Sequence, residues 1–274
     1  MIFITSMNQK IFEAYGERFL DEFEEHAGSE ISLINVFEGA QPQHLNRNYL
    51  KIKTIDFDCE IHKKFVSYFG NFYQARGFII SHRINPNTNK FDFQIGVDYK
   101  FDAIRFSFKV FAINQVMKDF KSDNYFVWTD ADLRCLKKFN ENDLIKFMPE
   151  QDQLMSYLGR TFRLRPTDEP YSECGFLGFN AKNEMSKKFM SRMIEVYSTG
   201  EIFTMKQWHD SWIWDRIREE FEKNNCLFKN ISGEFENTHH PFVNTGLGEF
   251  FDHLKGPKRK ARGHSDKNID YVKK

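Results

Sequence analysis

Asp130 and Asp132 follow directly on the apolar run Tyr125-Phe126-Val127-Trp128. In an extended chain, residues two apart point the same way, so both carboxylates can face one site. Two like charges so close need a cation, a proton or solvent between them. A hard divalent ion is the usual solution, and Mg²⁺ or Mn²⁺ held this way commonly bridges substrate phosphates. The same spacing recurs at Asp56 and Asp58, in a polar stretch before a helix, where it reads as surface or helix N-terminal charge. What distinguishes Asp130 and Asp132 is the continuous apolar strand they terminate; the alternative for them is a solvated turn.

Two groups of cations could meet the phosphates of such a ligand. Arg105 and Lys109 lie four apart on an otherwise apolar helix, so they share a face and need anionic partners there. Those partners are either Asp102 and other surface acids, or a nucleotide phosphate together with the rear of Asp130. The second group is at the end of the chain. Residues 255–274 hold eight cations against two acids, although the whole chain has 39 Lys+Arg and 39 Asp+Glu. The rest of the chain is therefore acidic. His253-Leu254-Lys255-Gly256-Pro257-Lys258-Arg259 opens this segment. Its glycine lets backbone approach an anion, and its histidine can supply a metal ligand. A solvated basic tail that binds nucleic acid nonspecifically is the competing reading.

These groups need a scaffold, and the apolar pattern outlines one. Ile2–Thr5 and Ile31–Phe37 read as buried strands, with helical spacing between them over 9–26. Strand, helix, strand implies a βαβ unit and a parallel sheet. Further helices are expected over 58–75, 101–120, Met185–Tyr197 and Met205–Asn224, and further strands over Tyr125–Trp128 and Cys174–Phe179. Residues 81–98 read as loop around a short strand because of the turn-rich Asn85-Pro86-Asn87-Thr88-Asn89. The fold class is thus α/β, with a mostly parallel central sheet flanked by helices and ligands expected at the carboxyl edge.

Composition excludes other classes. With 41% hydrophobic residues and 31 Phe among 274, the chain has too much apolar surface for disorder. A mean hydropathy of -0.60 and the lack of a long apolar run argue against a membrane-spanning helix. The N-terminus has no signal-peptide pattern, and Cys59, Cys135, Cys174 and Cys226 have neither metal-site nor disulfide-framework spacing. Buried reduced thiols in a cytoplasmic protein are expected. One domain over 1–254 is expected, followed by a basic segment, 255–274.

The order of these pieces resembles the GT-A-fold nucleotide-sugar glycosyltransferases, in a glycogenin-type and galactosyltransferase-like layout over roughly 1–260. The resemblance implies one catalytic domain over 1–254, with a donor-binding half at about 1–135 and an acceptor half at 136–254, and a basic segment, 255–274, that closes over the diphosphate. It implies transfer from a UDP-sugar, with Asp130, Asp132 and His253 holding Mn²⁺ (or Mg²⁺) on that diphosphate. It implies Lys109 and Arg105 as cations for the donor, Gly256 and Lys258 at the phosphates, and Thr5 and Ser6 at the base. Glu173-Cys174-Gly175-Phe176 matches the strand facing donor sugar and acceptor, and Asp210 the acid that opens a later helix and binds sugar hydroxyls. Two departures stand out. The tail lacks the Lys-Pro-Trp of the glycogenin type, and Glu173 stands where that family has Asn-Ala.

The expected activity is transfer of a hexosyl group to an acceptor hydroxyl with retention, where no strong base is required. Inversion would need Glu173 or Asp210 as base; the alternatives are a core-edge acid for Glu173 and a helix N-terminal acid for Asp210. The acceptor is a glycan, a protein or a small molecule. Two other functions compete. One is a sugar-nucleotide or nucleotidyl transferase, although Ser6-Met7-Asn8-Gln9 lacks a glycine-rich loop. The other is a nucleic-acid-associated protein, including a glycosyltransferase of modified DNA, which is not favoured because it leaves the Asp130/Asp132 setting unexplained.

Overall fold

The computed structural model describes residues 1–265 except 43–44, 46, 86–87, 90, 123, 161–168 and 234–239. The part of the basic segment beyond residue 265 lies outside the described residues. Its strands are β1 (Ile2–Asn8), β2 (Ser32–Glu38), β3 (Ile52–Asp56), β4 (Phe78–Ile84), β5 (Phe91–Val97), β6 (Tyr125–Thr129), β7 (Leu133–Cys135), β8 (Gln153–Leu158), β9 (Glu173–Asn180), β10 (Leu227–Asn230) and β11 (Phe251–His253). The main helices are α1 (Glu17–His26), α2 (Glu60–Phe69), α3 (Ala103–Asp119), α4 (Glu184–Ser198), α5 (Asp210–Glu222) and α6 (Pro257–Arg262).

Seven strands form one mostly parallel sheet in the order β10-β8-β9-β6-β1-β2-β3, with β9 antiparallel to both neighbours. The chain winds outward from β1 to β3 and then returns to place β6 on the other side of β1. The carboxyl edge between β1 and β6 is therefore a topological switch point, where open α/β sheets bind ligands.

Alternation along the strands divides the core. Ile4, Ile34, Phe126 and Trp128 lie on the face covered by α2 to α5. Phe3, Leu33, Phe37 and Val127 lie on the other face, under α1 and the 242–251 segment. Much of the phenylalanine is spent on this second face. Phe3 meets Phe23 edge-on at 5.3 Å, and Phe139 meets Phe251 at 4.9 Å. Such edge-to-face pairs add to the burial of their area.

Several elements differ from expectation. The 9–26 helix is continuous but contains a wide π-type stretch, Phe12–Gly16, entered from Asn8, whose side chain accepts the Ile11 N–H. Helix α5 starts at Asp210 instead of Met205, because a 3-10 turn at Glu201–Thr204 precedes it. Residues 81–98 are not mainly loop: Phe78–Ile84 and Phe91–Val97 form an antiparallel hairpin around the expected turn. The turn residues masked an apolar alternation of period two on each side of them. All four cysteines are free, as expected, but Cys59 and Cys226 are only half-buried. Among the described residues no helix is long and apolar enough to cross a membrane.

Candidate active site

Strand β6 runs buried to Thr129, and the chain then turns through Asp130, Ala131 and Asp132 into β7. The turn is pinned on both sides. The Asp130 N–H donates to the Gly175 carbonyl, and the Trp128 indole N–H donates to Asp130 Oδ1 at 2.9 Å. Strand β7 pairs antiparallel with β11, so that His253 stands opposite Leu133, and the Leu254 N–H donates to the Asp132 carbonyl. This pairing carries a residue 121 positions later in the chain back to the aspartates. His253 Nε2 lies 3.0 Å from Asp132 and 3.8 Å from Asp130.

Asp130, Asp132 and His253 have ligand atoms all within 4.8 Å of one another. Two carboxylates and one imidazole suit Mn²⁺ or Mg²⁺, with room left for phosphate oxygens. Glu173, His240 and His253 form a second group of the same compactness. That group does not suit an ion, since Glu173 is already compensated by Lys255 and Arg160, each at 2.6 Å.

The electrostatics are those of alternating charges in a partly buried site. Lys109, buried on α3, reaches Asp130 at 3.0 Å and Asp210 at 2.8 Å and donates to the Cys174 carbonyl. Burial works against its ammonium, but the two carboxylates outweigh it and hold the pKa high. Asp210, the first residue of α5, would be raised by burial, yet Lys109 holds it low. Burial likewise opposes the charge on Asp132, and His253 and Lys260 reverse that effect. Burial disfavours protonated His253, but Asp132 pulls its pKa up. Glu173 is kept well below the usual carboxylate range despite its burial, by Lys255 and Arg160. His240 is held neutral by its own burial.

The other residues singled out in the sequence separate. Arg105 is exposed on the first turn of α3 with its guanidinium over the Phe106 ring, away from Lys109. Thr5 is fully buried inside β1, which runs on to Asn8, while Ser6 donates to Glu38 Oε1 at 3.0 Å. Gly256 takes a φ of +85° and starts α6, on which Lys258 is exposed.

Five residues that the structure brings to the site were not singled out from the sequence. Lys260, two residues past Lys258, reaches Asp132 at 2.9 Å. Its ammonium also sits over the Tyr15 ring at 4.2 Å. Tyr15 belongs to the π-type stretch, a widening often found at functional sites. Lys255 and His240 surround Glu173. Glu38 ends β2 beside Ser6, and burial pushes its carboxyl up to about 7. For Glu38 a signal did exist, as an acid directly ending an apolar run at the carboxyl edge.

No family model matches the sequence, and no curated protein matches it. Solved structures do match in fold. The galactosyltransferase LgtC, crystallised with donor and acceptor sugar analogs, superposes with a TM-score of 0.52 at 12% identity, covering 94% of this chain and 88% of LgtC. An active-site mutant of LgtC gives a TM-score of 0.52 at 14% identity over the same shares. Mouse xyloside xylosyltransferase 1 in its apo form gives a TM-score of 0.46 at 12% identity, covering 84% of this chain and 85% of that one. The chain has a GT-A-like glycosyltransferase fold.

Proposed function

We propose that the chain is a metal-dependent glycosyltransferase that moves a sugar from a UDP-sugar to an acceptor hydroxyl. One observation carries this reading: Asp130, Asp132 and His253 converge at the switch point of the sheet, between the buried Lys109 and the half-buried Lys260. A GT-A-like fold around that cluster supports it.

Asp130, Asp132 and His253 would hold Mn²⁺ or Mg²⁺. Bound there, the ion would supply Lewis-acid stabilisation of the leaving diphosphate. Lys260, with Gly256 and Lys258 on the same segment, contacts the phosphates and offsets charge that grows as the glycosidic bond breaks. Lys109 orients Asp130 and compensates its charge from behind. Ser6 and Glu38 form the polar wall for the base at the end of β1 and β2. Glu173 places a negative charge 3.9 Å from Nδ1 of His253, on the side of the ring away from the aspartates.

The state of the two acids favours retention. A general base needs a pKa near the working pH. Glu173 and Asp210 are both held low and ion-paired, so neither is suited to take a proton from an acceptor. The test is a thermal-shift panel of UDP, GDP, CDP and ATP with and without Mn²⁺, followed by the anomeric configuration of the product. UDP is expected to stabilise the protein only with metal, by mass action. The shift is expected to vanish in Asp130→Ala with Asp132→Ala. A UDP shift that survives that pair of substitutions would sink the assignment.

A further inference from the structure

The hairpin of β4 and β5 carries a pattern that the single chain does not use. Its register pairs Phe78 with Val97, Ile80 with Ile95, His82 with Phe93 and Ile84 with Phe91. Facing residues in a ladder, and alternate residues along a strand, lie on the same side. All eight therefore share one face, and seven of them are apolar. The opposite face holds Ile79 with Gly96, Ser81 with Gln94, and Arg83 with Asp92. This alternation is that of a sheet with one face packed and one face wet. The apolar face is the open one, with its seven apolar side chains between 38% and 76% exposed.

Among the described residues no other element covers it. β4 and β5 form a sheet of their own among the described residues. Their main neighbour is the turn Tyr73–Arg76 at the base. A lone two-stranded hairpin is at best marginally stable in water and needs an apolar face packed on something.

We propose that this face is the interface through which two copies of the chain associate about a two-fold axis. Area is the first argument. At roughly 150–200 Å² per large apolar side chain, the seven expose on the order of 650–900 Å². That exceeds the ~300–600 Å² of the largest patch on a typical monomer and matches the ~800 Å² each partner brings to a standard interface. Charge is the second. The face holds one histidine and no cation, and the Arg83 position on the opposite face stands in register with Asp92, whereas surfaces that dock on lipid are rich in Lys and Arg on their polar side. It also lacks the charge pattern by which a surface selects an unlike partner. Self-association about a dyad needs only that the patch complement itself. Stacked face to face about 10 Å apart, the two hairpins would form a small four-stranded sandwich. The inference does not depend on the proposed activity.

Sedimentation equilibrium of the full chain tests it. The wild type is expected at twice 32.7 kDa, and the variant with Ile80→Glu and Phe93→Glu at 32.7 kDa with unchanged far-UV circular dichroism. Hydrogen exchange of the wild-type hairpin across a dilution series decides the matter if that variant fails to fold. Protection of the β4 and β5 amides is expected to fall on dilution. A wild type at 32.7 kDa at every concentration overturns the proposal, including one that then floats with phosphatidylcholine vesicles. So does a dimer that persists in the double variant, or hairpin exchange that ignores concentration.

Discussion

Gly175 and His253 occupy adjoining space with no room for one more carbon. A Cβ on Gly175 would lie 2.7 Å from His253 Cε1 and 2.9 Å from its Nδ1. The ring cannot swing aside cheaply, because its Nε2 faces Asp132 and its backbone carbonyl accepts from Ser265. Gly175→Ala is therefore expected to tilt the imidazole and cost about 1–3 kcal/mol of stability. Loss of ring orientation is expected to weaken Mn²⁺ binding about 10–100-fold, as disturbing the partners of a ligating histidine does. Calorimetric titration of Mn²⁺ in the presence of UDP checks this. Wild-type affinity in the variant would show that the ring is not a ligand.

Lys109 is the counter-charge of two carboxylates. Lys109→Met would strand buried Asp210 and leave Asp130 beside Asp132 without its partner. Breaking a buried pair from one side costs about 3–5 kcal/mol. Urea unfolding is expected to report a loss in that range, and Lys109→Met with Asp210→Asn should recover part of it. Additive losses in this double-mutant cycle would mean that the pair is not coupled.

The buried carboxyl of Glu38 predicts a pH dependence of unusual sign for an acid. Its folded pKa, about 7, lies above the unfolded value near 4.5. Between these values the folded protein binds more protons, so this group makes stability fall as pH rises. Its contribution is complete below about pH 4.5 and gone above pH 7, and amounts to about 3 kcal/mol. His62, driven down to about 4 by burial, acts in the opposite direction over nearly the same window. The wild-type profile thus conceals both. Unfolding free energies of wild type and Glu38→Gln should converge at acid pH and diverge towards pH 7, with the variant the more stable. Parallel profiles would mean that Glu38 ionises normally.

The two lysines of α6 should not be equivalent. Lys260 reaches Asp132, whereas Lys258 is exposed. Lys260→Met is expected to weaken Mn²⁺-dependent UDP binding by roughly tenfold, or about 1.4 kcal/mol. Lys260→Arg should retain most of it, and Lys258→Met should cost less than Lys260→Met. The reverse ranking in a binding titration would return the phosphate contact to Lys258.

What the sequence disclosed depended on whether the signal was local. Asp130 and Asp132 were legible because they end an apolar strand, and His253 because a glycine and cations follow it. Lys260 and His240 were not, since the pairing of β7 with β11 brings their segment to the site, and Tyr15 was not, because it lies in a helix of ordinary apolar spacing. Two strands of three residues leave no periodicity to detect. The same limit explains Lys109 and Arg105, which share a face by spacing but not by environment. Four residues fit one turn of helix, yet Lys109 is buried against Asp130, Asp210 and the Cys174 carbonyl while Arg105 is exposed. The hairpin failed differently, because a strong turn signal outweighed the alternation around it.

The closure of β7 on β11 also orders events at the ribosome. The aspartates emerge long before the strand that completes them, and contacts between distant parts of the chain form slowly. A nascent chain stopped before residue 251 can already pair β6 with β9, yet its Cys135 and Leu133 still lack the neighbours that β11 brings. Ligand affinity should therefore arise at the last step of maturation, after most of the sheet has consolidated. Until then the growing polypeptide presents Asp130 and Asp132 without His253, and its affinity for metal and nucleotide is expected to be weaker than that of the finished chain.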